Sequence, residues 1–187
     1  MEDVERAVTM DAKAAGNLLV LVGATEAALG GSHLARVRPE WVAADAALPR
    51  VDLSRGPALA RAVHGLIRAG LVRAAHDCSE GGFLLAAAEM AFAGGIGCRV
   101  DLSKVPAAAG AALTPVEAAF SESASRYLLE IPPAGLGAVQ AALEGLPWAL
   151  VGEFIAEPRM DAAGGCWGRR LGCRSSKAAQ RGWRSRL

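Results

Sequence analysis

No uninterrupted apolar run in this chain reaches the ~18 residues that a membrane-spanning helix needs, so a helical membrane protein is not expected. The opening MEDVERAVTM is acidic and lacks the basic-then-apolar order of a secretory signal, which argues against export. Cysteine is sparse and irregularly spaced, at positions 78, 98, 166 and 173, with no C-x-x-C pair. That excludes a disulfide scaffold and points to a reducing, cytoplasmic setting. No internal repeat is detectable, so a solenoid is excluded as well.

What the chain has is apolar substance. Hydrophobic residues make up 52% of its 187 residues, enough for one well-buried domain with or without an appendage. The net charge of +1 hides a division. From Asp161 to the end there are seven Lys/Arg (Arg169, Arg170, Arg174, Lys177, Arg181, Arg184, Arg186) against one acid, leaving 13 basic and 18 acidic residues before it. A body near −5 and a tail near +6 place a boundary near residue 160. The expected organisation is therefore a folded domain over 1–160 and a basic irregular tail over 161–187.

Within the body, residues 17–23 (NLLVLVG) read as a core strand. Pro57 is placed to open a helix in which Leu59, Val63, Leu66 and Ile67 recur at helical spacing, and Gly70 closes it. Residues 71–75 read as a strand, and so do 96–102, 127–131 and 148–155. Thr114 followed by Pro115 predicts a further helix start, and 136–146 a last helix. Strands and helices in this order predict an α/β or α+β fold, a sheet with helices packed on one side. The tail shows no period of two or 3.6.

The chemistry concentrates in AAHDCSEGGFLLAAAEMAFAGG, residues 74–95. A loop from His76 to Glu80 precedes a helix whose first turn includes Gly81 and Gly82. The first N–H groups of a helix lack internal partners and lie at the positive end of its dipole, which suits an anion. In this reading Glu80, Gly81 and Gly82 offer their N–H groups to a phosphate, and Ser79 caps the helix or donates to the anion. Asp77 orients a hydroxyl or holds a metal, and His76 donates to phosphate or fixes the loop. Against it stand a plain Ser79 N-cap and a satisfied structural His–Asp pair. Cys78 reads as a small buried hydrophobe. Gly30, Gly31 and Ser32 are a second candidate for ligand or inter-domain contact, balanced against a simple turn. Ser121, Glu122, Ser123 and Arg126 read as a salt-bridged loop leading into a strand. No residue is assigned a catalytic role, and no metal ligand set is identified.

Taken together, AHDCSEGGFLLAAAEMAFAGGIGCRVDL, EDVERAVTMDAK from Glu2, ATEAALGGSHLARV at 24–37 and FSESASRYLLEIP at 120–132 resemble the synthetase subunit of phosphoribosylformylglycinamidine synthase, in its C-terminal domain. The resemblance covers residues 2 to about 158, in order. It implies the C-terminal α/β domain of the aminoimidazole-ribonucleotide-synthetase-like superfamily. The activity implied is the ATP- and magnesium-dependent conversion of formylglycinamide ribonucleotide to its amidine. Ammonia would come from a glutaminase subunit, and a small accessory subunit would complete the complex.

The chain also departs from that pattern. The family's subunits are several times longer, with the ATP- and magnesium-binding segment and the catalytic histidine in N-terminal domains, so Met1 reads as an internal start. An aliphatic residue is usual where Cys78 stands. The tail, rich in Gly, Arg, Ala, Trp and Cys, reads as a frameshift beginning between Glu157 and Gly164, or as disordered. The expected role is a domain inactive alone that contributes a phosphate-binding loop and contacts to the remaining synthetase domains, with self-association through apolar surface. Two alternatives stand beside it: a free-standing phosphometabolite-binding or dimerisation module, and a nucleic-acid binder acting through the basic tail.

Overall fold

The computed structural model describes residues 4–164 and 173–174. Residues 18–22, LLVLV, carry no polar group and form the central strand β1 (Leu18–Val22), four of whose five side chains are buried. Alternation along it feeds two cores. Leu19 and Leu21 face one side with Leu128, Phe83, Ala86 and Met90, while Val20 and Val22 face the other with Leu129, Leu59, Val63 and Val139. A strand buried on both faces is why the run is apolar without interruption.

Six further strands complete one sheet: β2 (Ala74–Asp77), β3 (Gly97–Asp101), β4 (Tyr127–Ile131), β5 (Trp148–Ile155), β6 (Arg159–Ala163) and the two-residue β7 (Cys173–Arg174). Their order is β2-β4-β1-β5-β3-β6-β7. Neighbours run antiparallel except β3 and β6, which are parallel. The helices are α1 (His33–Val37), α2 (Gly56–Arg68), α3 (Gly82–Gly94), α4 (Pro115–Phe120) and α5 (Leu136–Ala142).

The α/β class is as the sequence led us to expect, but the helices are not confined to one side. Helices α3 and α4 pack on one face, α2 and α5 on the other. The physical reason lies in β1, whose consecutive residues are all apolar, and in β4, whose Leu128 faces one side while Leu129 and Ile131 face the other, so that both strands require cover above and below. Element bounds follow expectation at β4 and β5. The strand expected over 71–75 starts later, at Ala74, because the Leu71 N–H still closes the helix end on Leu66 O. Helix α5 stops at Ala142, short of 146. β6 was not expected as a strand; it straddles residue 160, and its Asp161, Ala162 and Ala163 pair with Arg99, Val100 and Asp101. The expectations for the tail, frameshift, disorder and nucleic-acid binding alike, lie outside the described residues beyond 164, save the backbone pairing of β7 with β6.

The N-terminal segment has no regular structure over 9–17 yet is bound throughout. Ala75 N–H donates to Thr9 O, Ala12 N–H to Met90 O, and Gly16 N–H to Phe154 O. Lys13 N–H and Ala14 N–H both donate to the fully buried Glu130 carboxylate of β4, at 2.8 and 3.0 Å, and the Asn17 amide joins them.

Candidate functional site

Three segments far apart in sequence meet at the end of the sheet: the loop between β2 and α3, the turn before α1, and residues 121–125 after α4. Each is held there by backbone demands. Gly81, the N-cap of α3, and Gly82 both have positive φ, 75° and 70°. A side chain at Gly82 would meet Ser121 O at 2.6 Å, so glycine lets the start of α3 lie directly against the 121–125 loop. Gly30 likewise has backbone oxygens of Ala46 and Ala47 within 3 Å of where a Cβ would stand. Ser32 caps α1, accepting from Ala35 N–H and donating to Leu29 O. At 1% exposure it presents nothing to solvent, and this turn acts as a cap and a close approach.

The junction is closed by Glu122. Its Oε1 accepts the Gly81 N–H at 2.8 Å and the His33 N–H at 2.9 Å, with His33 Nδ1 at 3.3 Å. The glycine-rich loop, the GGSHL turn and the SES loop thus converge on one carboxylate oxygen. The expected salt bridge within 121–126 does not form. Instead the buried Arg126 donates to neutral oxygens, from Nε to Ser123 O, from Nη1 to Thr25 Oγ1 at 2.9 Å and from Nη2 to Ser121 O. Burial pulls its pKa down, although a guanidinium stays charged in such surroundings. Ser121 Oγ donates to Ala28 O, and Ser123 Oγ accepts the Glu26 N–H. Every residue of this loop but Ala124 and Ser125 is thereby tied down, and Ser125 is the one non-glycine residue with positive φ among those described.

The loop residues expected to hold phosphate take up distinct positions. Ser79 is not the helix cap, because α3 starts from Gly81 with no side-chain cap; its hydroxyl donates to Asp77 Oδ2. That bond, first among several causes, holds the Asp77 carboxyl below its usual value. His76 is spent between carboxylates, with Nε2 3.0 Å from Glu89 Oε2 and Nδ1 3.3 Å from Asp77 Oδ1. The Gly82 N–H is bound to Ser79 O, and the Gly81 N–H to Glu122, while the Glu80 N–H has no acceptor among the described residues. Cys78 is buried in the core as expected, and burial pushes its thiol up to about 11.

What this arrangement can do is hold a negatively charged oxygen: two backbone N–H groups from separate elements point at one atom, and in this chain that atom belongs to Glu122. It does not fit a metal, since no group of three His, Cys, Asp or Glu among the described residues could hold one. Two pockets among the described residues differ in lining. The pocket lined by Arg50 and Arg55 has about 80 Å³, and the groove of about 430 Å³ beside Trp148 and Gln140 carries Glu144 and no cation. No helix among the described residues is long and apolar enough to cross a membrane.

Residues 14–164 match the family described as "AIR synthase related protein, C-terminal domain". Phosphoribosylformylglycinamidine synthase subunit PurL of Thermococcus sibiricus is 38% identical over 154 residues, covering 82% of this chain and 21% of the relative. That of Alkaliphilus metalliredigens is 39% identical over 158 residues, covering 83% and 20%. The chain therefore spans about a fifth of the length of the curated relatives it matches. Among solved structures, T. maritima PurL complexed with FGAR superposes with a TM-score of 0.76 at 24% identity, over 90% of this chain and 28% of that one. E. coli HypE gives 0.63 at 18% identity, over 91% and 53%. At these identities the structural likeness speaks for the fold alone.

Proposed function

The chain belongs to the AIR synthase related protein C-terminal domain family, and from that membership we propose that it serves as the C-terminal-type domain of a phosphoribosylformylglycinamidine synthase synthetase subunit. The observation that carries the reading is the match over residues 14–164 together with relatives of that name at 38 and 39% identity. The reaction proposed for the whole enzyme is the ATP-dependent exchange of the amide oxygen of formylglycinamide ribonucleotide for ammonia, with magnesium as the ion that accompanies ATP. No group of three His, Cys, Asp or Glu among the described residues could hold a metal ion, and the chain spans about a fifth of the length of the relatives of that name. ATP and magnesium are therefore assigned to the remainder of the synthetase.

This domain's own contribution is proposed at the convergence point of His76, Asp77, Ser79, Glu80, Gly81 and Gly82 with the turn at Gly30, Gly31 and Ser32. There the Gly81 and His33 N–H groups and the Glu80 N–H face a phosphate oxygen of a phosphorylated metabolite. What supports this is that the same two amides already hold a carboxylate oxygen at 2.8 and 2.9 Å. The proposed setting is cytoplasmic. Proposed partners are the remaining synthetase domains, a glutaminase subunit and a small accessory subunit; a structure named PurLQS from Thermotoga maritima is among those that share the fold.

Turnover tests the reading. The 187-residue chain with formylglycinamide ribonucleotide, ATP, magnesium and ammonia should form no amidine. A chimera in which residues 14–164 replace the matching segment of the Thermococcus sibiricus subunit should form it. Turnover by the chain alone, or a folded chimera that makes no product while the parent does, would overturn the proposal.

A further inference from the structure

We infer that the loop between α1 and α2, together with the outer face of α2, is the surface on which this domain docks against the rest of a synthetase subunit, through an apolar centre rimmed by arginine. The inference rests on the domain reading above and adds to it which face makes the contact and what chemistry the facing surface has.

Residues 38–55 hold only one short 3-10 turn, at Pro39–Trp41, and so exceed the roughly 12–15 residues beyond which loops without regular structure are usually functional. Five large apolar side chains stand out on or beside this loop: Val37, Trp41, Leu48, Val51 and Leu53, from 47% exposed at Trp41 to 82% at Leu53. Scattered singly they would call for no explanation, but gathered on one stretch they form the kind of patch that marks an interface. Their backbone is fixed. The Gly30 N–H donates to Ala47 O and the Arg50 N–H to Glu26 Oε2, each at 2.9 Å, and Gly30 lies directly against the Ala46 carbonyl. The loop is thus held with its apolar groups outward, and a partner meets them already placed.

Helix α2 follows at once. Its Leu59, Val63 and Leu66 are buried, which leaves Arg61, His64 and Arg68 exposed on the outer face, with exposed Arg73 beyond its end. No Asp or Glu occurs from Leu53 to His76. Arg61, Arg68 and Arg73 make no ion pair among the described residues. Every Lys/Arg position of residues 37–73 is arginine, and arginine and tryptophan are enriched at protein interfaces where lysine is depleted. A body near −5 repels a long polyanion, so the stripe suits a protein surface with carboxylates opposite those three arginines. The family model is that of a C-terminal domain, and the chain covers only 21% and 20% of two relatives, so the rest of such a subunit is a protein surface present in the same molecule.

The experiment is cysteine labelling. Leu48→Cys and Leu53→Cys are reacted with a maleimide in the 187-residue chain and in the chimera that carries residues 14–164 in the Thermococcus sibiricus subunit. Mass spectrometry reads each peptide separately, and Ala156→Cys, exposed between β5 and β6, is the control. In the product-forming chimera both loop positions should react at least about tenfold more slowly than in the chain, while position 156 keeps its rate. Arg61→Glu with Arg68→Glu in that chimera should raise the rate at position 53 at least about threefold, because like charges then meet across the contact. Equal rates in chain and active chimera would overturn this surface and leave the domain reading standing, and so would an equal slowing at all three positions. An unchanged rate after charge reversal would overturn the carboxylates opposite α2. Slowing in the chain alone as its concentration rises would assign the surface to a second copy and overturn the inference. A folded chimera without turnover overturns the domain reading, and this inference with it.

Discussion

A single carboxylate does much of the tying in this fold, and it is not in the glycine-rich motif. Glu130 is fully buried, and its two oxygens take the N–H groups of Lys13 and Ala14 and the Asn17 amide. Removing it strands two backbone donors away from water. Glu130→Ala should therefore lower unfolding free energy by about 3 kcal/mol in a urea titration, and a change under about 1 kcal/mol would show that solvent reaches those donors. Ser79 is a milder case because it sits at the surface and caps nothing. Its hydroxyl is the leading cause of the depressed Asp77 pKa. A depressed carboxylate stabilises the fold above its unfolded value of 3.8, and the contribution is lost as pH falls through the lower folded value. Ser79→Ala should move the Asp77 titration, followed by carbon NMR, upward toward 3.8 and shrink that acid-side loss. An unmoved midpoint would mean that the remaining bonds to Asp77 set its acidity.

At the scale of elements, strands β4 and β5 could be read to the residue because largely apolar runs, each interrupted by one glutamate, lie between turn residues and leave the chain one option. The capping box of α4 was half legible: Thr114 and Pro115 mark the start, and the structure adds Glu117, whose carboxylate returns to the Thr114 N–H. β6 was not legible, since RMDAA has weak alternation and its parallel pairing with β3 is fixed only in three dimensions. The candidate site divides the same way. A helix start at two glycines shows in the sequence, but the acceptor for its amide is 41 residues away and that for His33 89 residues away, with no local pattern to betray either. The two glycines also differ in a way no motif displays. A Cβ at Gly81 meets Leu85, whose Cδ2 can turn aside but whose Cβ at 2.9 Å gives only if the first turn of α3 shifts, while one at Gly82 meets the backbone of Ala119, Phe120 and Ser121. Gly81→Ala should cost about 2 kcal/mol, for its left-handed conformation and the contact with Leu85 Cβ, and Gly82→Ala more, about 3 kcal/mol, by thermal or urea unfolding. Equal costs would mean that the start of α3 and the 121–125 loop move apart freely.

For the whole molecule, the question is where the folded unit ends. The charge switch places a boundary near residue 160, yet β6 runs from Arg159 to Ala163 and the family match from residue 14 to 164. The link from β5 into β6 is built into the sheet: a Cβ at Gly97 would lie 2.0 Å from Glu157 O and 2.3 Å from Arg159 O, so the chain returns hard against the first residue of β3. Met160 and Ala162 then pack on the core that contains Cys98 and Val100. Without β6 that core is opened along one edge and β3 loses its parallel partner, exposing unpaired N–H and C=O groups together with apolar surface. A chain ending at Gly164 should therefore keep a cooperative urea transition, whereas one ending at Glu157 should lose at least about 2 kcal/mol of stability, the scale of opening a core to water at two side chains. If the two truncations unfold at the same midpoint, β6 adds nothing to the fold and the unit ends at β5. If the longer one has no cooperative transition while the full chain does, the residues after 164 belong to the folded unit despite their charge.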